Sequence, residues 1–246
     1  MKRVLNQDLN FKMQLFFIPE LTDRSKQAVL ENTESFHLHK VLRKNIGDKI
    51  TVTNGNKMFF ECVILEISKD KCVAKVIKHS LQKPLPYNLH VGISILKSRD
   101  RFEWFIEKSC EIGISEITPI ICDRTEKRSL NFKRINKILI SAMKQSLKSS
   151  LPKLNPILKL KDFVKNRTED KLLIAHCENS KKNNLIDEIK PGLNNLILIG
   201  PEGDFSKSEI ALCNSMNFKD ISLGNSRLRS ETAAVVACHS FSIANM

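Results

Sequence analysis

The sequence predicts an α/β chain in which a small strand-rich domain precedes a mostly parallel sheet covered by helices. Three observations carry that expectation. Residues 13–82 hold several short β-branched and aromatic runs. Pro84 and Pro86 then punctuate the chain in LQKPLPYN, and beyond them strand-like and helix-like segments alternate.

In the first domain the strands are MQLFFI, KITVTNG, MFFECVILEI and KCVAKVIKHS, with turns marked by Asn54-Gly55 and Lys69-Asp70. A helix around residues 35–44 interrupts them, where Phe36, Leu38, Val41 and Leu42 follow a helical spacing. Short strands with one helix suggest a small barrel. Beyond the prolines LHVGISIL is a buried strand. The helix DRFEWFIEKSCEIG follows, with Asp100 as N-cap, Phe102, Phe105 and Cys110 on one face, and Gly113 as its stop. ITPIIC is the next strand. Residues 131–149 form a helix that buries Ile135, Ile138, Leu139 and Ala142 and shows lysines elsewhere. KLLIAH, LILIG and ISLG are further strands, with helices near 183–189, 206–217 and 230–244.

A chain of 246 residues can bury the cores of two domains. Its 40 Lys+Arg against 27 Asp+Glu leave a formal charge of +13, which favours a polyanionic partner, RNA or DNA. The 7 cysteines form no C-x-x-C pair and mostly sit in apolar runs. That pattern fits reduced, buried thiols in a cytoplasmic protein, with neither a disulfide frame nor a metal site. No apolar run approaches the roughly 18–20 residues of a membrane span. MKRVLNQDLNFK is too polar for a signal peptide, so the protein is expected in the cytosol.

Three strands end in chemically distinctive loops: Ala175-His176-Cys177-Glu178, Gly200-Pro201-Glu202-Gly203 and the run from Leu223 to Arg229. Ligands of open α/β sheets bind outside the carboxyl ends of strands, so these loops are expected to share one pocket. The common phosphate cradles, Gly-x-Gly-x-x-Gly and Gly-x-x-x-x-Gly-Lys, are both absent. Ser206-Lys207-Ser208-Glu209 fits a capping box, and Ser230 is the expected N-cap of the last helix, with Glu231 meeting its dipole. That helix, TAAVVACHSF, suits close packing, either in the core or at a dimer seam. His37 and His39 stand at i, i+2 on a helix and point apart, which argues against a metal pair. His176 serves the pocket either by its side chain or by its backbone.

Together these stretches resemble the 16S rRNA uracil-N3 methyltransferases of the SPOUT (α/β-knot) superfamily. The motifs that carry the resemblance are FHLHKVLRKNIGDKITVTNG, DRFEWFIEKSCEIGISEITPIIC, AMKQSLKSSLPKL, IGPEGDFSKSEI and LGNSRLRSETAA, in that order along nearly the whole chain. The resemblance implies a deep trefoil knot with a mostly parallel sheet over 87–246 and an N-terminal PUA-like small β-barrel over 13–83. It implies S-adenosyl-L-methionine as cofactor, held by Ala175, His176, Ile199, Gly200, Pro201, Glu202, Gly203, Leu223, Gly224 and Leu228. It also implies 16S rRNA of the small ribosomal subunit as partner, and a homodimer. Residues 1–12 then become an extra N-terminal tail, expected to be a misassigned start or a disordered arm.

The reaction so implied is attack by uracil N3 on the sulfonium methyl. Arg229 is the expected stabiliser of the uracil anion, a role weighed evenly against an ion pair with Glu202 or Glu231. Glu231 is a candidate general base, with a role as dipole or structural partner weighed above it. Phosphate contacts are expected from Arg43, Lys44, Lys144 and Lys148, with Gln145 beside them. Two departures stand out: Asp204 occupies a place where the family has glycine, and Asn225-Ser226-Arg227 shifts an arginine by one position. Two other readings are a superfamily enzyme for another RNA position, ribose 2′-O or another base, and a non-catalytic RNA-binding assembly protein.

Overall fold

A computed structural model describes residues 14–165 and 167–246, so the expectation for residues 1–12 lies outside the described residues. The chain forms two compact units. One runs up to Pro84 and includes Met143–Leu151; the other comprises Leu85–Ala142 and Pro152–Met246.

The first unit contains β1 (Leu15–Phe17), β2 (Gln27–Glu31), α1 (Asn32–Phe36), β3 (Lys49–Thr53), β4 (Met58–Ile67) and β5 (Lys71–Leu81). Its five strands run in the order β1-β3-β4-β5-β2, with β1 parallel to β3 and the other neighbours antiparallel. The expected turns form. Ser68 N–H donates to Lys71 O across Lys69-Asp70, and Asn54 Oδ1 accepts from Asn56 N–H beside Gly55, whose φ is +72°. Phe16, Leu30, Leu38, Val52, Phe60, Cys62, Ile64 and Cys72 fill the core.

The helix expected over 35–44 differs in both position and winding. It begins at Asn32 and continues as a π-helix over His37–Val41, where Leu42 N–H donates to His37 O. Arg43 then takes a left-handed φ of +53° and Lys44 N–H reaches back to Leu38 O, which ends the helix. The strand β2 was not expected; QAVLE alternates in burial but is short and rich in polar residues.

The second unit contains β6 (Asn88–Ser94), α2 (Arg99–Ile112), β7 (Glu116–Ile121), most of α3 (Phe132–Gln145), β8 (Lys153–Leu154), β9 (Leu158–Lys159) and α4 (Leu160–Phe163). It continues through β10 (Lys171–Ala175), β11 (Asn183–Asn184), α5 (Leu185–Glu188), β12 (Asn194–Ile199), α6 (Lys207–Ser215), β13 (Lys219–Ser222) and α7 (Ser230–Ala244). Every strand pair is parallel, in the order β11-β13-β10-β12-β6-β7-β8, with β9 also on β7. Leu196 and Leu198 of β12 join Phe163 of α4, Phe205, and Ile210 and Cys213 of α6 in one core cluster. Side chains alternate along a strand, so Ile197 and Ile199 face the other way; α7 packs against β6, β12 and α2.

Three helix ends correct the sequence reading. Ser98, not Asp100, caps α2, its Oγ accepting from Arg101 N–H. Arg229, not Ser230, occupies the N-cap of α7, with no side-chain cap bond. The helix expected to reach 149 stops at Gln145, because Leu147 turns left-handed (φ +53°) and Lys148 N–H returns to Met143 O. Gly113 ends α2 as expected, at φ +133°.

Of the seven cysteines, all but Cys177 are buried and none is bridged. Burial pushes the Cys62, Cys213 and Cys238 thiols up to about 12, so they are not thiolates at neutral pH. Among the described residues no helix is long and apolar enough to cross a membrane.

Candidate cofactor site

The sheet order brings the three distinctive loops together. β10 lies between β12 and β13, and Ala175 is level with Ile199 on one side and Ile221 on the other. Three parallel strands therefore end at one height, and the chain leaves them by three adjacent turns. These turns enclose a cavity of about 970 Å³. Ala175, His176, Ile199, Gly200, Pro201, Glu202, Gly203, Leu223, Gly224 and Leu228 all line it, and so does Arg229.

Glycine serves two purposes here. A Cβ on Gly200 would stand 3.1 Å from the ring of Phe205, the buried side chain that closes the turn from below. Gly224 has φ +120° and nothing within 4 Å of where a Cβ would be, so its backbone faces open space. Ser206 and Glu209 form the expected capping box, and Glu209 Oε1 also accepts from Asp123 N–H at 2.8 Å.

The turn after β12 is held from several sides. Glu202 Oε1 accepts from Lys97 N–H at 3.0 Å, which ties it to the loop after β6. Arg124, in the loop after β7, donates from Nη1 to Gly203 O at 2.7 Å. Asp204 is left-handed (φ +65°), and its Oδ2 accepts from Cys177 N–H at 2.7 Å. Sequence reasoning missed Arg124 and Lys97, which sit far away in the chain. It noted Asp204 only as a missing glycine.

His176 reaches the cavity through its main chain, because its imidazole is fully buried. Nε2 stands 3.2 Å from Asp220 Oδ2, close enough for an ion pair but not aligned as a hydrogen bond. Arg229 is exposed, and among the described residues its side chain makes no ion pair, so the pairing with Glu202 or Glu231 does not form. Glu231 does not line the cavity. It is buried, and Oε1 faces Arg101 Nε at 3.6 Å. Arg101 does line it.

Arg43, Lys44, Lys144, Gln145 and Lys148 all fall in the first unit, because Met143–Leu151 belongs to it. Ser149 anchors that segment: its O accepts from Lys57 N–H at 2.8 Å, and its N–H and Oγ both donate to Gln82 Oε1 at 2.7 Å. Lys144 is partly buried, paired with Glu34 and lying over the Phe16 ring. Arg43 and Gln145 are exposed and Lys44 is half-buried.

Residues 83–242 match the family description "RNA methyltransferase domain", and residues 30–77 match "RNA methyltransferase PUA domain". A ribosomal RNA small subunit methyltransferase E from Rickettsia conorii is 30% identical over 229 residues, covering 91% of this chain and 92% of that protein. The crystal structure of a probable rRNA methyltransferase from Porphyromonas gingivalis has a TM-score of 0.88 at 34% identity, over 95% of this chain and 98% of that one. A ribosomal RNA small subunit methyltransferase E from Neisseria gonorrhoeae, solved bound to S-adenosyl methionine, has a TM-score of 0.82 at 25% identity, over 92% and 95%. The fold class expected from the resemblance, an α/β-knot unit with a PUA-like N-terminal domain, is borne out. With level strand ends, one shared cavity and a match over most of its length, this chain belongs to the RNA methyltransferase family.

Proposed function

We propose that this chain methylates N3 of one uridine in the 16S rRNA of the small ribosomal subunit, with S-adenosyl-L-methionine as methyl donor. The observation that carries the proposal is the level ending of β10, β12 and β13 on one cavity. Its walls fit that cofactor. Main-chain N–H and C=O groups of tight turns can read an adenine edge, and the open backbone at Gly224 admits close approach. When bound, the cofactor supplies a methyl group on a cationic sulfonium.

The chain's own residues do the rest. Ala175, His176, the turn from Ile199 to Gly203, and Leu223, Gly224 and Leu228 hold the cofactor. The Arg229 guanidinium, free of other partners among the described residues, stabilises negative charge on the uracil oxygens once N3 has released its proton to solvent. Glu231 acts through Arg101, holding that guanidinium at the cavity wall. Residues 87–246, less the Met143–Leu151 segment that joins the first unit, form the methyltransferase domain, and 13–83 with that segment form the RNA-binding PUA-like domain. Arg43, Lys44, Lys144, Gln145 and Lys148 meet RNA, with Lys144 exchanging its partner Glu34 for phosphate.

The protein works in the cytoplasm as a homodimer. Trp104 on α2 and Ile243 on α7, 42% and 51% exposed on two helices that pack together, are the apolar side chains we offer to that pairing. Methyl transfer to small subunits that lack the modification, followed by nucleoside mass spectrometry, tests the reading. We expect 3-methyluridine; a 2′-O-methylated nucleoside or another methylated base overturns the choice of atom. RNA binding without methyl transfer would instead mark an assembly protein.

A further inference from the structure

Asp204 stands in a backbone conformation that favours glycine, and both of its carboxylate oxygens are in use. Its φ is +65°, and its own N–H donates to Pro201 O at 2.9 Å, which closes the turn after β12. Oδ1 accepts from Phe205 N–H at 2.8 Å. Oδ2 accepts from Cys177 N–H at 2.7 Å, across 27 residues of sequence, in the loop that follows β10. A glycine would make the turn with less strain and could not make the bridge. Asp and Asn are the side chains best able to occupy this conformation while hydrogen-bonding nearby backbone.

We propose that Asp204 is a positioning residue, a carboxylate clasp that fixes the β10 loop to the β12 turn and sets the cavity wall before the cofactor arrives. The inference rests on the cavity being the S-adenosylmethionine site. Both joined segments line that cavity, Cys177 beside His176 and Asp204 beside Gly203. The turn is also pinned by Arg124 at Gly203 and by Lys97 at Glu202, so the clasp is one of three braces. A wall braced in the free protein lowers the ordering cost of binding, which is where preorganisation raises affinity. Bonds from backbone N–H to a carboxylate are among the stronger ones available for this purpose.

The test compares Asp204→Gly, Asp204→Asn and the unaltered protein. Asp204→Gly removes the clasp while easing the backbone, so its thermal midpoint falls only modestly, and the fold is checked by the same melt. We expect its KM for S-adenosylmethionine to rise about tenfold, kcat to move less than KM, and the Cys177 amide to exchange with deuterium faster in the cofactor-free state. Asp204→Asn keeps one acceptor for Cys177 and restores most of the affinity. An Asp204→Gly protein with unaltered KM overturns the proposal, whether or not Cys177 exchange accelerates. A separate outcome reports on the site itself. If S-adenosylmethionine gives the unaltered protein no exchange protection at residues 199–203 and 223–228, the assignment of the cavity fails, and the clasp's role fails with it.

Discussion

Arg101 Nε on α2 lies 3.6 Å from Glu231 Oε1 in the first turn of α7, and this pair joins two helices that pack along each other. Glu231 is buried and its other oxygen, Oε2, has no hydrogen-bond partner, whereas Arg101 is partly exposed at the cavity. A carboxylate held in this way, off the cavity wall, fits orientation of the arginine better than proton abstraction. Glu231→Gln is therefore expected to cost about 1 kcal/mol of stability, a figure kept low because Arg101 is solvent-screened. It should slow methylation modestly and leave the pH–rate profile of kcat unchanged. Loss of an ionisation from that profile, with a rate drop of about 10²-fold or more, would restore Glu231 as a general base.

Arg229 is expected to behave differently. It is exposed at the N-cap of α7, and its side chain is committed to no partner among the described residues. Removing a donor aimed at developing charge typically lowers kcat by about 10²–10³-fold. Single-turnover methylation by Arg229→Ala should show that loss while calorimetric affinity for the cofactor changes by less than about threefold, or well under 1 kcal/mol. Arg229→Lys keeps the charge and loses the planar fork, so it should fall between the two. Equal losses in affinity and rate would assign Arg229 to cofactor binding.

Packing gives a third expectation, in the middle of β6. A Cβ on Gly92 would stand 2.7 Å from the Phe163 ring and 2.8 Å from a Leu198 methyl, both fully buried. The backbone there is ordinary extended strand, so Gly92→Ala reports overcrowding alone. Such crowding costs about 1–3 kcal/mol. Urea melts should show a lower midpoint with an unchanged slope; a midpoint that does not move would mean that Phe163 swings aside freely.

RNA affinity should fall steeply with salt, since a chain of charge +13 binds a polyanion largely by counterion release. Arg43→Ala and Lys44→Ala should each lower the slope of log affinity against log salt by about one. Filter binding with 16S rRNA fragments measures it. A flat dependence between low and physiological salt would remove phosphate contact as the main term.

The sequence was most legible where one residue type carries one physical demand. Aliphatic runs ending in Gly200 and Gly224 marked the strand ends, and Ser206 with Glu209 marked a helix start. It was least legible where backbone bonds join distant segments. Nothing in the lysine-rich run around Lys144 and Lys148 announces that Ser149 is bonded to Lys57 and Gln82, which places Met143–Leu151 in the first unit. The two-residue strands β8, β9 and β11 are too short to show a period. Left-handed Arg43 and Leu147 moved helix ends because neither side chain signals that conformation as glycine would. The braces on the β12 turn come from Lys97, Arg124 and Cys177, on three separate loops, so only the folded chain reveals them.

Glu188 gives the fold one of its acid-sensitive contacts. Its carboxylate, at the end of α5, accepts from Asn183 Nδ2 at 2.8 Å, Lys171 Nζ at 3.0 Å and Lys219 Nζ at 3.3 Å, and its side chain is only 9% exposed. The Asn183 amide first, and the two ammonium groups with it, hold its pKa down from 4.5 to about 2. Glu169, held near 2 chiefly by His90, adds to the same effect. A carboxyl depressed in the folded state stabilises the fold fully above its unfolded pKa, because the unfolded chain takes up the proton first as pH falls. The contribution of Glu188, on the order of 2–3 kcal/mol, is therefore present at pH 7 and drains away between about pH 4.5 and pH 2. Glu188→Gln should be destabilised at pH 7 and converge on the unaltered protein as the pH approaches 2. Chemical denaturation across that range measures the difference, and a gap that stays constant down to pH 2 would show that the lost contact is not an ionic one.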